Sequence, residues 1–256
     1  MIELLEQLLP AGITPAVAAL LVVASFVTSA ITAAVGIGGG IAMLALMGVF
    51  VPVAALIPVH GAVQLGSNTG RAFHMRPHVR RDIFVPFAIG GLLGAVIGVF
   101  VVVQLPDAIM KVVLATFILA ITWARIPGIE RIGRAGLAVA SVALSVLTMI
   151  LGATGPLFSA VLAQFLSKDR KALVATHAAV MTVQHLLKVI VFGIAGFAFA
   201  SWIPLVAAMI ATGYLGTVYG ARILDRMPQE GFTFWLRLLI SALALDMLRR
   251  GLTGLL

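Results

Sequence analysis

The sequence predicts an all-α membrane protein: a polytopic helical bundle of two inverted-topology repeats. Each repeat is a glycine-broken hairpin or short half-helix followed by three transmembrane helices. Three observations carry this. Hydrophobic residues make up 62% of the 256-residue chain and charged residues 10%, against about half and a quarter in soluble domains. Apolar runs of about 20 residues, the length that spans a bilayer as helix, recur throughout, whereas the alternating ten-residue segments of a membrane barrel do not. Finally, the order of segments and breakers in the first half returns in the second.

Hydropathy and breakers delimit the elements. The first apolar helix covers 16–35 and stops at "GIGGG", where four glycines fall within 36–40. A short piece, 41–50, follows, then helices at 53–75, 83–103 and 107–124, and a basic loop, "RIPGIERIGR", at 125–134. The second half reads 135–151, the breaker "GATGP", a short piece at 157–166, and helices at 172–196, 202–221 and 232–248. The N-terminus holds Glu3 and Glu6 ahead of the first run and lacks the basic start of a cleavable signal peptide, so that run is expected to stay in the mature chain.

Because nearly everything is apolar, the repeat rests on polar, Gly and Pro matches. His60 and His177 are 117 residues apart, as are Arg71 and Lys188. Gly91, Gly94 and Gly98 stand 122 residues before Gly213, Gly216 and Gly220, and Pro106 keeps that distance to Pro228. Gly36 and Gly152 open the two breakers. Residues 1–130 and 131–256 are therefore read as two repeats of one membrane domain. Basic residues concentrate in 76–81, 125–134, 168–171 and 222–226, while the turns at 51–52, 104–106 and 198–201 hold none. Placing all four basic loops on the cytoplasmic side requires a chain that starts outside and an odd number of crossings per half. Equivalent loops then face opposite ways ("RPHVRR" inside, "FAFAS" outside), the signature of inverted repeats. Arg249 and Arg250 run against this rule, since they fall outside.

At 1.5 Å per residue, 41–50 reaches only about 15 Å, half of the roughly 30 Å apolar core. The first helix and this piece form either a hairpin that dips in and returns or a full crossing followed by a short helix; parity is the same for both. Irregular backbone at membrane depth survives only beside a cavity or buried in protein. Half-helices beginning at such a break aim unpaired N–H groups and a partial positive charge inward, which suits an anion. Gly36, Gly38, Gly39, Gly40, Thr154 and Gly155 are the candidate contacts there. Gly91, Gly94, Gly98 and their partners are assigned to close helix packing.

The third segment adds side chains. His60, Gln64, Ser67 and Arg71 are spaced by four, three and four and share a helix face; His177, Met181, Gln184 and Lys188 repeat that spacing. Asn68 and His185 follow at equivalent places. Polar residues this deep usually face a pathway, so Gln64, Ser67, Asn68, Arg71, Gln184, His185 and Lys188 join the substrate-binding set. His60 and His177 are candidates for proton coupling or gating. The two helices run antiparallel in an inverted pair and are expected to meet near 64–67 and 181–184. Arg237 and Asp246 read as a separate pairing or exposed flank.

Other function classes recede. The net charge of +8 lies in loops, as the positive-inside rule expects, and not in a nucleic-acid-binding domain. With no cysteine, thiol chemistry and thiolate metal sites are out. An HExxH motif and a carboxylate pair beside the polar stripe are both missing, and the inverted depths of His60, His177 and His185 make a shared metal awkward. No cofactor or metal is expected.

The glycine-rich "AVGIGGG" after the first helix, the polar third segment and the second copy beginning "LGATGP" resemble the TauE/SafE sulfite exporter family. The resemblance covers nearly the whole chain. It implies movement of small sulfur-containing anions, such as sulfite or sulfonates, through the bacterial inner membrane. The second breaker departs from the commoner pattern, with Thr154 and Pro156 in place of glycines. The expected protein is a multi-pass secondary transporter that exports such an anion by alternating access, coupled to protons, with membrane lipid as a further partner. An anion channel and a membrane-embedded enzyme are the alternatives.

Overall fold

The computed structural model describes residues 9–35, 38–101, 106–124, 132–133, 136–223 and 229–255. The described residues are helical apart from short turns. The first half contains α1 (Pro15–Val35), α2 (Gly39–Phe50), α3 (Val53–His74), α4 (Arg81–Val101) and α5 (Asp107–Trp123). The second contains α6 (Gly136–Leu151), α7 (Gly155–Leu166), α8 (Arg170–Ile194), α9 (Ile203–Ile223) and α10 (Gln229–Thr253). Four stretches, Pro15–Val35, Arg81–Gly98, Arg170–Ile194 and Phe199–Ile223, are long and apolar enough to cross a membrane. The protein is a multi-pass helical membrane protein.

Local chemistry sets the helix ends. Pro52 and Pro106 cap α3 and α5, positions where a missing N–H costs nothing. Asp169 caps α8, its carboxylate accepting from the Ala172 amide at 2.9 Å. Gly38, at φ 100°, turns the chain into α2, a backbone conformation that residues with a Cβ rarely adopt.

The helices pair in a pattern that exchanges the halves. On α1 and α9, Val22 meets Thr212, Phe26 meets Gly216 and Ala30 meets Gly220, a constant offset of 190, so the two run parallel. The equivalent pair α4 and α6 is also parallel: a Cβ on Gly90 would meet the Ala138 carbonyl, and one on Gly94 the Val142 carbonyl. Gly94, Gly98, Gly213, Gly216 and Gly220 lie at these close approaches, where a missing side chain lets backbones touch. In contrast, α3 and α8 are antiparallel, with Gly61 against Lys188 at one end and Met75 against Val174 at the other. Helices equivalent in sequence and opposed in direction require halves of opposite orientation. These contacts bracket 64–67 and 181–184, the neighbourhood expected from the sequence.

This arrangement sorts the loops by charge. Residues 76–81 and the start of α8 meet at one end, where Arg80 N–H donates to Thr176 Oγ1 at 3.0 Å and an Arg170 guanidinium N–H to the Ala34 carbonyl. At the other end Gly12 approaches Pro52. α1 therefore reaches the basic end as a full-length helix, which resolves the choice between hairpin and crossing for the first half. Its counterpart α6 has 16 residues, and α2 and α7 have 12 each. Arg249 and Arg250 do lie at the non-basic end, where Asp246 pairs with both at 2.7 Å. Arg237 does not pair with Asp246; its guanidinium lies 5.8 Å from the centroid of the Trp123 ring.

Candidate functional site

Both breaks open on one central cavity of about 30 Å³, room for a water or two. Its walls come from Thr32 of α1, the start of α2 (Gly38, Gly40, Ile41), the start of α7 (Ala153, Gly155, Pro156), and one stripe on each of α3 and α8. Among the described residues, neither helix N-terminus is capped by a side chain, so the first amides of α2 and that of Gly155 on α7 are available to whatever fills the cavity, whereas Pro156 has no N–H and the Leu157 N–H donates to the Thr154 carbonyl at 2.9 Å.

The cavity stripe on α3 is His60, Gln64 and Asn68; on α8 it is His177, Met181 and His185. Both run i, i+4, i+8, and each member is 117 residues from its counterpart. The predicted polar face therefore splits in two. Ser67, Arg71, Gln184 and Lys188 lie one step round their helices, behind the wall, and are buried. Gly39 is behind it too, pressed on α1: a Cβ there would sit 1.9 Å from the Thr28 carbonyl oxygen. Gly36 lies outside the described residues.

Hydrogen bonds repeat the internal symmetry. His60 Nε2 donates to the Gly40 carbonyl at 2.9 Å, and His177 Nε2 to the Gly155 carbonyl at 3.0 Å. Each imidazole ties its helix to the first turn of a half-helix, and among the described residues the Nδ1 of each is buried without a partner. The histidines converge more than their depths suggest. His60 and His185 meet edge to face with centroids 5.9 Å apart, and His177 faces the same cavity. Among the described residues no cluster has metal-binding geometry.

The two cations behave differently. Arg71 donates to Asn68 Oδ1 at 3.1 Å and Ser67 Oγ at 3.3 Å, within its own helix. Lys188 Nζ donates to the Gly152 carbonyl at 2.5 Å, and His185 Nδ1 lies 3.5 Å away. Both side chains are essentially inaccessible to solvent, and among the described residues neither has a carboxylate partner. A buried cation without a counter-ion is costly by several kcal/mol, so the region carries a positive field that an anion would relieve.

The chain matches the family "Sulfite exporter TauE/SafE" over residues 21–247. The chain belongs to the TauE/SafE family. No curated protein and no solved structure matches it. TauE/SafE proteins are transporters, not enzymes, so the enzyme alternative is set aside and small-anion transport is the activity.

Two expected contacts in this TauE/SafE protein point elsewhere. Thr148 gives its hydroxyl proton to the Leu144 carbonyl at 2.7 Å, so in the contact between Thr148 and Thr154 it is Thr154 that donates. The single proton of Thr154 is thus committed, and it is not a free donor. Gln184 points away from the cavity: its Oε1 accepts from Ser145 at 2.7 Å, and its Nε2 crowds the position of a Cβ on Gly91. Gly91 thus makes room for a side chain of the polar layer as well as for a helix.

Several residues of that layer went unpredicted. Ser25, Ser29 and Thr32 on α1 match Ser141, Ser145 and Thr148 on α6, all 116 residues apart and all buried. Ser29 Oγ bonds Ser67 Oγ at 2.8 Å, as Ser145 bonds Gln184. Ser25 donates to the Met209 carbonyl and Ser141 to that of Phe87. Their signal was readable, because Gly36 and Gly152 have the same offset, but hydroxyls are cheap inside apolar helices and attract little notice.

Proposed function

We propose that this protein is a secondary transporter that exports a small sulfur-containing anion, such as sulfite or an organosulfonate, across the bacterial inner membrane. The observation that carries the reading is the pair Arg71 and Lys188, buried beside the meeting point of two half-helix N-termini without carboxylate partners among the described residues. Amides from Gly38, Gly40 and Gly155 and side chains of Gln64, Asn68 and His185 meet the anion's oxygens. The two cations supply charge from behind, one from each half. Substrate in the cavity offsets their desolvation, and each charge-assisted hydrogen bond contributes about 1.5–3 kcal/mol.

Residues 1–130 and 131–256 act as the two moving units, and transport proceeds by alternating access. Separate cavities, one central and one near the non-basic end, favour a carrier over a channel with a continuous pore. Protons are the proposed coupling ion. With Nε2 held as donor to a main-chain carbonyl, His60 and His177 each keep a bare Nδ1, and protonating it creates a new donor facing an incoming anion.

Uptake of labelled sulfite into proteoliposomes tests this. Saturable flux that rises with an imposed pH gradient is the expected result. Flux indifferent to the gradient removes the coupling, and single-channel currents would convert the reading to a channel.

A further inference from the structure

Near the non-basic end the structure holds a second, larger cavity of about 350 Å³, lined by the start of α3, the end of α8, Asp107 and Met110 of α5, and Met149 and Ile150 of α6. At the basic end, the same pair of helices is closed by a small buried cluster, Met75, Val174 and Ala175, with Val79 packed on it. Moving each by the repeat distance of 117 gives Phe192, Ile57, Pro58 and Gly196. All four line the large cavity. Residues that touch at one end thus have counterparts that line a void at the other.

The polar fastenings follow the same rule. Arg170 donates to the Ala34 carbonyl at the basic end; their counterparts, Val53 and Ile150, both line the cavity. Arg80 N–H donates to Thr176 Oγ1, while the counterpart of Arg80, Phe197, lines the cavity as well. A smaller void of about 80 Å³ near the basic end lies among α1, α2, α5, α7 and α10, not between α3 and α8, and shares Gly38, Ile41 and Pro156 with the central cavity.

A thin layer divides the large cavity from the central one. A Cβ on Gly152 would touch Ile57 and two methyls of Leu44 at 3.4–3.6 Å, and Lys188 holds the carbonyl of that glycine from the central side.

We propose that the two ends of the α3 and α8 pair are the transporter's mirror-image gates, with Met75, Val79, Val174 and Ala175 as the closed inner gate and Phe192, Ile57 and Pro58 lining the open outer gate, while the layer at Gly152 keeps the central cavity shut off from the outer one. Inverted repeats allow the second state to be written down from the first: each half adopts the conformation of the other. In the inward-facing state Phe192 seats on Ile57 and Pro58 as Met75 now seats on Val174 and Ala175. The inner gate keeps polar fastenings, whereas the mirrored outer positions Val53, Ile57, Ile150, Phe192 and Phe197 are apolar, with Asp107 beside them. The inference rests on the alternating-access reading above.

The chain contains no cysteine, so paired cysteines report without a background. Met75→Cys/Val174→Cys is compared with its mirror, Phe192→Cys/Ile57→Cys, under mild oxidation in ligand-free proteoliposomes. The inner pair is expected to form a disulfide at least tenfold faster than the outer one. Methanesulfonate on both sides, a sulfonate that unlike sulfite does not cleave disulfides, is expected to narrow that ratio, and locking either pair to stop its flux until the bond is reduced. Equal rates for the two pairs without ligand, or full flux through the locked inner pair, would overturn the gate assignment. Single variants guard against misfolding: Phe192→Cys should react with a membrane-impermeant maleimide at least tenfold faster than Met75→Cys, and equal labelling again contradicts the assignment. If sulfite flux is missing from the unmodified protein, the transport reading fails, while the ligand-free contrast still judges the gates.

Discussion

Lys188 Nζ donates to the main-chain carbonyl of Gly152 over 2.5 Å, so the cation of α8 grips the residue at which the second half breaks its helix. Its counterpart Arg71 holds Asn68 and Ser67 on its own helix instead. A flexible stem ending in a point charge reaches a carbonyl across a gap; a planar fork is better matched to two neighbours at once. Space for that stem comes from Gly61, where a Cβ would fall 2.8 Å from Lys188 Cδ. Gly61→Ala should displace the ammonium and weaken sulfite binding by about fivefold, the effect of about 1 kcal/mol. Calorimetric titration of the variant checks this, and unchanged affinity would mean the stem has slack.

The close turn into α2 makes a stability prediction. A Cβ on Gly39 would stand 1.9 Å from the Thr28 carbonyl oxygen and 2.2 Å from Thr32 Oγ1. Backbone cannot yield cheaply there, so Gly39→Ala should cost about 2–3 kcal/mol. Gly133→Ala, with nothing within 4 Å, is the control. A clear drop in melting temperature in detergent is expected for the first and little change for the second.

At the parallel crossing of α1 and α9, a Cβ on Gly216 would lie 2.1 Å from the Phe26 carbonyl oxygen. Gly216→Ala should force the helices apart at a cost of about 1–3 kcal/mol. A melting temperature equal to that of the parent would show that this pair does not limit stability.

Ser145 anchors Gln184, whose Nε2 already lacks a partner among the described residues. Ser145→Ala strands the carbonyl of the amide as well and should cost about 1–3 kcal/mol. Ser29→Ala should cost less, since Ser67 keeps its contact with Arg71. Unfolding in a denaturant series ranks the two; the reverse order would deny Gln184 its structural role.

Much of the architecture was legible because breakers and charge decide it. The short helix expected at 41–50 is Gly39–Phe50, and that at 157–166 is Gly155–Leu166. The crossing of α3 and α8 followed from the offset of 117 between His60 and His177. The wall of the cavity did not follow. Spacing places His60, Gln64, Ser67 and Arg71 on one broad face, but a helix face spans more than one neighbour. Only the packing of α1 and α9 on α3 decides that Asn68 looks into the cavity while Ser67 turns to Ser29. The same rotation turns Gln184 toward Ser145 and leaves Met181 at the wall. The setting of Thr154 was not legible for another reason: its proton is claimed by Thr148, a residue no motif singled out.

The most direct measurement is the affinity for sulfite together with the melting temperature of the ligand-free protein, for the parent, Lys188→Met and Arg71→Met. If both cations are held without counter-ions for the sake of an anion, each variant should bind sulfite at least tenfold more weakly, about 1.4 kcal/mol. Without ligand each should melt no lower than the parent, because an uncompensated buried charge has been removed. Undiminished binding in both variants, or a large loss of ligand-free stability, would contradict the assignment and make these cations part of the scaffold.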